Sequence, residues 1–81
     1  MFLPELNPDD KMINQLIDES ESGSLNWLKD VDSGDIYYWL ADSNWITHSV
    51  MADFLQLDNV EHGMVSKSGS GDIIQQQQLT T

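Results

Sequence analysis

The chain has 81 residues, of which 40% are hydrophobic, and its 14 acidic residues against 3 lysines and no arginine give a formal net charge of −11. The absence of cysteine excludes disulfides, thiolate metal sites and cysteine nucleophiles. The acidity argues against direct binding to nucleic acid or anionic membranes, because phosphate would be repelled and the usual bidentate reader of guanine, arginine, is missing.

This length and composition predict one small α+β domain at 1–65, followed by a Ser-, Gly- and Gln-rich tail at 66–81 that is either flexible or an edge strand. Small domains without disulfides often gain stability by self-association, so a homo-oligomer is expected as well. The N-terminal segment has neither a basic region nor a long apolar run, which predicts a cytoplasmic protein without a targeting segment or a membrane span.

A first helix is predicted at about 8–20. Asn7 is suited to the N-cap position and Pro8 to the first helical position, and the acids Asp9 and Asp10 favour the positive end of the helix dipole. The apolar residues that follow repeat at helical spacing and would form one buried face: Met12, Ile13, Leu16 and Ile17.

The centre of the chain, residues 25–40, predicts a β-hairpin with aromatic strands. It holds two of the three tryptophans and both tyrosines, divided by the turn-like sequence Asp-Ser-Gly-Asp at 32–35. In the second strand Tyr38 falls on one face and Tyr37 and Trp39 fall on the other. We expect the helices to cover one face of the hairpin, which would leave the face of Tyr37 and Trp39 partly exposed or covered by a partner.

A second helix is predicted from about 45 to 57, with Asn44 or Thr47 as its N-cap. Its apolar stripe would consist of Trp45, Ile46, Val50, Met51, Phe54, Leu55 and Leu57. Residues 60–65 fit a short strand around a glycine. The predicted architecture is therefore an N-terminal helix, a central aromatic hairpin, a second helix and a weak C-terminal strand or flexible tail.

Two groups of residues could indicate a chemical function, but a purely structural role explains each of them better. The acids at 30–35 are reminiscent of a calcium loop, but Ala41 stands where an EF-hand needs its bidentate glutamate, so an acidic turn is preferred. His48 and His62 occur without a nucleophile or an oxyanion donor in a recognisable pattern. No catalytic residue, cofactor or metal ligand is therefore predicted.

An aromatic patch surrounded by acids remains as the predicted functional surface. Tyrosine and tryptophan are favoured interface anchors, because each covers a large area with little side-chain entropy to lose. The predicted partner-binding residues are Trp27, Tyr37 and Trp39 with Asp30, Asp32, Asp35 and Asp42. The alternative for the aromatic residues is an ordinary place in the core, and the alternative for the charge is simple solubility.

The function predicted from this patch is that of a non-catalytic acidic module that binds a protein with a basic surface, or a second copy of itself as a homodimer. A second hypothesis is an acidic inhibitor whose carboxylates mimic the phosphates of nucleic acid and block a DNA- or RNA-binding protein. The two differ in salt dependence, because binding through mimicked phosphates would collapse with salt and an aromatic interface would not.

Overall fold

The structure, a computed structural model, describes residues 4–41, 46–67 and the backbone of 73–80. It confirms a small α+β domain with two helices and an antiparallel sheet. In chain order the elements are β1 (Glu5–Leu6), α1 (Asp10–Glu19), β2 (Ser24–Asp30), β3 (Ile36–Leu40), α2 (His48–Leu55), β4 (Val60–Lys67) and β5 (Ile73–Thr80). The strands lie in the order β1-β3-β2-β4-β5, so the predicted hairpin β2–β3 forms the middle of the sheet.

Helix α1 begins at Asp10 because Asp9, and not the predicted Asn7, is its N-cap. The Asp9 carboxylate accepts a hydrogen bond from the Met12 amide at 2.8 Å. Asn7 adopts a left-handed backbone conformation, with φ 50°, and bonds across to β3. Its backbone amide donates to the Ile36 carbonyl at 2.7 Å and its side-chain oxygen accepts from the Ile36 amide at 2.8 Å. Asn7 therefore fastens the short strand β1 to the sheet.

Side chains on opposite faces of the sheet pack against different helices. The face toward α1, the α1 face, has a buried core formed by Ile13, Ile17, Leu25, Trp27, Tyr38 and Val65. The face toward α2, the α2 face, has a buried core formed by Leu28, Trp39, Met51 and Val60. The expectation that both helices cover one face is therefore wrong. The alternation of β2 and β3 makes both faces apolar, and each face takes one helix.

Helix α2 is shorter than predicted, with Thr47 as its N-cap. The Thr47 hydroxyl accepts a hydrogen bond from the Val50 amide at 3.2 Å. The helix ends at Gln56, whose left-handed conformation (φ 59°, ψ 45°) is the usual way for a helix to stop. With 10 and 8 residues, neither helix in the described ranges is long and apolar enough to cross a membrane.

Candidate functional site

Two of the three predicted aromatic anchors lie in the core. Trp27 is 4% exposed in the α1 core and Trp39 is 2% exposed in the α2 core. The Trp39 indole N–H donates to the Ile46 carbonyl at 3.1 Å, which fixes the ring against the segment that leads into α2. Tyr37 is half-buried on the α2 face, opposite Leu28. The expectation of an exposed Trp39 therefore fails because α2 covers its face of the strand.

The acids predicted for the partner surface build the turn between β2 and β3. The Asp30 carboxylate accepts from the Ser33 hydroxyl at 2.9 Å and from the Asp32 amide at 3.2 Å. The Asp30 amide donates to the Asp35 carbonyl at 2.8 Å, and Gly34 closes the turn with φ 82°. Short acceptor side chains stabilise turns in this way. These acids therefore have a structural role in addition to their charge.

The carboxylate of Asp35 reaches out of the turn to β1. Its Oδ1 accepts a hydrogen bond from the Asn7 side-chain amide at 3.0 Å. Asp32 is exposed at the tip of the turn. The seventh predicted residue, Asp42, lies outside the described residues. Of the predicted acids, three are thus brought together in one turn.

Sequence reasoning missed two further acids that lie at the same end of the sheet. Strand pairing places Asp30 opposite Val60, and the Val31 amide donates to the Asn59 carbonyl at 3.0 Å. The turn is therefore joined to the loop that precedes β4 and carries Asp58. Asp53, in the last turn of α2, lines the same cavity as Asp58. We call this set, Asp30, Asp32, Asp35, Asp53 and Asp58, the acidic end.

The C-terminus of α2 adds to the negative potential at the acidic end. Unsatisfied carbonyl groups give the last turn of a helix a partial negative charge, which a basic side chain would normally offset. The last turn of α2 has no basic residue and contains Asp53 instead. A positively charged group would therefore be attracted both by the side chains and by the backbone.

A cavity of about 270 Å³ opens between α2 and β4 beside the acidic end. Its apolar lining comes from the α2 core and from residues packed against that core: Leu28, Ala52, Leu57 and Val60. Its polar lining consists of His48, Ser49, Asp53, Asp58 and His62. Both carboxylates are exposed, whereas Leu28 is fully buried. The cavity thus has an apolar floor and an acidic rim.

Two histidines stand at the inner side of this cavity. The His48 Nε2 lies 2.8 Å from the Gly63 carbonyl oxygen, so this nitrogen carries the proton and donates. The two imidazole rings are 4.5 Å apart, and His48 meets the ring of Trp39 edge-on at 5.5 Å. Burial lowers the pKa of His48, the hydrogen bond to Gly63 opposes that shift, and His62 adds to it.

The second histidine has an unsatisfied atom. The Nδ1 of His62 is buried and has no hydrogen-bond partner among the described residues. The alternation of β4 could have indicated this site, since His62 shares a face with Val60 two residues before it. The distance to His48 could not be foreseen, because it depends on how α2 packs on the sheet.

The chemistry that the site offers is attraction and hydrogen bonding. No group of three or more histidine, aspartate or glutamate side chains in the described ranges is arranged to hold a metal ion. The rim presents acceptors to a cation and the floor presents hydrocarbon.

Comparisons with protein-family models, with curated proteins and with solved structures find no match for this chain.

Proposed function

We propose that this protein binds a basic protein partner, without catalysis, through the acidic end. The observation that carries the proposal is the convergence of acids from the β2–β3 turn, from α2 and from the loop before β4. They converge in a chain with a net charge of −11 and no arginine. Such a local field steers a basic surface into contact and fixes its orientation more than it adds raw affinity.

Tyr37 gives this surface an aromatic contact. It lies on the α2 face, is half-buried, and follows the turn by two residues. A tyrosine in such a place can cover apolar area on a partner while its hydroxyl stays in water. The proposed interface is therefore an acidic surface with one aromatic member, and the tryptophans support it from inside the core.

The experiment is capture of the partner by the full chain from its own cells, followed by reconstitution with the purified partner and calorimetry. The site variant is Asp32→Asn with Asp58→Asn. The matched control is Glu5→Gln with Glu19→Gln, which makes the same charge change at exposed positions on β1 and at the end of α1. We expect the site variant to weaken binding about tenfold and the control to weaken it no more than about twofold.

Two results would count against the proposal. Equal weakening by both variants would show that net charge alone attracts the partner, and no particular surface. A reconstituted partner with an acidic or neutral binding surface would remove the electrostatic basis altogether. Binding should also weaken between 50 and 300 mM salt, because exposed charges are screened over about 8 Å at physiological ionic strength.

A second candidate function is the blocking of a nucleic-acid-binding protein by mimicry. The observation that favours it is the excess of carboxylates, since the chain has 14 acidic residues against 3 lysines and no arginine, and several of the acids converge at the acidic end. The test is competition: a 20-base-pair duplex should displace this protein from the captured partner, and the complex should weaken steeply with salt. A partner that holds the duplex and this protein together would reject mimicry and leave the first proposal intact.

A further inference from the structure

We propose that the cavity between α2 and β4 receives an arginine side chain of the basic partner, with its aliphatic stem on the apolar floor and its guanidinium at the acidic rim. The inference rests on the proposed function and names the contact that would give it specificity. The cavity has a volume of about 270 Å³. Sites for drug-sized ligands measure roughly 300–1,000 Å³, so this cavity suits a smaller group such as one side chain.

The floor is built to hold hydrocarbon. Ala52 and Leu57 are half-buried and present accessible hydrocarbon to the cavity. They pack against the α2 core, whose members Leu28 and Val60 are 0% and 6% exposed and close the cavity toward the inside. Long basic side chains bury their methylene groups along such surfaces while the charged end stays at the water. A compact inorganic cation would gain nothing from this floor.

The rim is built to hold a cation. Asp53 and Asp58 both line the cavity and both are exposed, so neither carboxylate requires a buried partner within the fold. The C-terminus of α2, without a basic residue in its last turn, adds negative potential at the same place. Charge complementarity therefore selects a positive group, and the floor selects one on an aliphatic stem.

The two carboxylates and the two imidazole rings favour arginine over lysine. A guanidinium has five N–H donors in a planar fork and can serve both carboxylates together, whereas an ammonium is a compact, strongly hydrated point charge. Planar guanidinium also stacks on aromatic rings, and His48 and His62 supply two of them.

The test uses n-butylguanidinium as the probe and the uncharged n-butylurea as its matched analogue, titrated into the full chain and followed by NMR. We expect saturable shifts of the Ala52 and Val60 methyl groups with n-butylguanidinium and at least about tenfold weaker binding of n-butylurea. The variant Asp53→Asn with Asp58→Asn should weaken n-butylguanidinium binding about tenfold. The control Glu5→Gln with Glu19→Gln should leave it within about twofold, and amide spectra of both variants establish that they fold.

Three results would overturn the inference. Equal binding of the urea analogue would show an apolar cavity without cation selectivity. Equal or tighter binding of n-butylammonium would remove the preference for arginine. Shifts confined to the β2–β3 turn, with Ala52 and Val60 unmoved, would show a counterion at the surface. After any of these three results, a partner complex that is still weakened by Asp32→Asn with Asp58→Asn would support the proposed function without the cavity site. Conversely, if n-butylguanidinium binds as expected but no basic partner binds the acidic end, the cavity site would hold and the proposed function would fail.

Discussion

The helices that cover the two faces of the sheet differ in length and in the number of residues they bury, and the candidate site lies where the cover is less complete. On the α1 face, α1 buries Ile13 and Ile17 against a core that includes Trp27. On the α2 face, the 8-residue helix α2 buries Met51 alone among its residues. A helix of that length spans about 12 Å and cannot cover a sheet face completely. What it leaves uncovered is the cavity with the two histidines.

The short helix α2 also explains which residues line the part of the sheet face that it leaves uncovered. Val50 and Phe54 of α2 are 47% and 45% exposed, so much of the apolar area of this helix does not reach the sheet. Beside its apolar floor, the gap is lined by groups that tolerate water, namely two imidazoles, a hydroxyl and two carboxylates. We infer that the α1 face mainly stabilises the fold, whereas the α2 face combines a smaller core with a place for a ligand.

The largest effect that tests this comparison is expected from truncation of the two tryptophans. Trp27→Ala and Trp39→Ala should each lower the free energy of unfolding by about 3–5 kcal/mol, because each removes a buried ring and leaves a cavity. Tyr37→Ala, at a half-buried position, should cost no more than about 1 kcal/mol. Urea unfolding followed by circular dichroism measures all three. A Trp39→Ala protein as stable as the Tyr37→Ala protein would mean that the α2 core is not formed.

Phenylalanine variants keep the measurement possible where the alanine variants do not fold. Trp39→Phe loses the hydrogen bond from the indole to the Ile46 carbonyl, whereas the Trp27 indole nitrogen has no partner among the described residues. Trp39→Phe should therefore be more destabilising than Trp27→Phe by about 1 kcal/mol. The opposite order would place the more important indole contact on the α1 face.

Acidification should lower the free energy of unfolding through His48, which lies on the α2 face. The pKa of His48 is lowered, first by burial, so the unfolded chain binds a proton more readily than the folded one. Stability is therefore complete above the unfolded value of about 6.5 and falls as the pH drops from there through the folded pKa. His62, Asp53 and Asp58 line the same cavity as His48, and of these groups His62 adds to the lowering of the His48 pKa.

The free energy of unfolding measured between pH 7.5 and 5.5 tests this sign. The wild-type protein should lose stability over that interval, and His48→Gln should lose less, since glutamine can still donate to the Gly63 carbonyl but does not titrate. Trp27→Phe on the α1 face serves as the control and should keep the wild-type slope. An unchanged slope in His48→Gln would assign the dependence to another group.

Local sequence patterns predicted both helices, the hairpin and the strand that begins at residue 60, but they did not predict β1 or determine on which face each helix packs. The helix at 10–19 lies within the predicted 8–20, the hairpin is as expected, and Thr47 is one of the two candidate caps for the second helix. The choice of Asp9 over Asn7 as cap could not be made locally, because Asn7 is held by Ile36, 29 residues away. The apolar faces of both helices fit either face of the sheet, so alternation alone could not assign one helix to each.

The candidate site shows the same limit. The acidic turn was predictable, because Asp, Ser and Gly in succession are typical of turns. The second half of the site depends on the register of β2 and β4, which places Leu28 opposite His62, and on the docking of α2, which brings in His48 and Asp53. Both are long-range pairings that a periodicity of two or of 3.6 residues does not specify.

The smallest expected effect concerns the ion pair that joins β4 to α1. Lys67 Nζ lies 2.7 Å from an Asp18 carboxylate oxygen, and the two side chains are 30% and 68% exposed. Exposed pairs contribute little, so Lys67→Met should lower the free energy of unfolding by no more than about 0.5 kcal/mol, and less at high salt. Asp18→Asn distinguishes the effect of the ion pair from the effect of net charge. It removes the same contact as Lys67→Met, but it reduces the repulsion in a chain of charge −11. A loss above about 1.5 kcal/mol in both variants would mean that this pair, and not apolar burial, secures the α1 face.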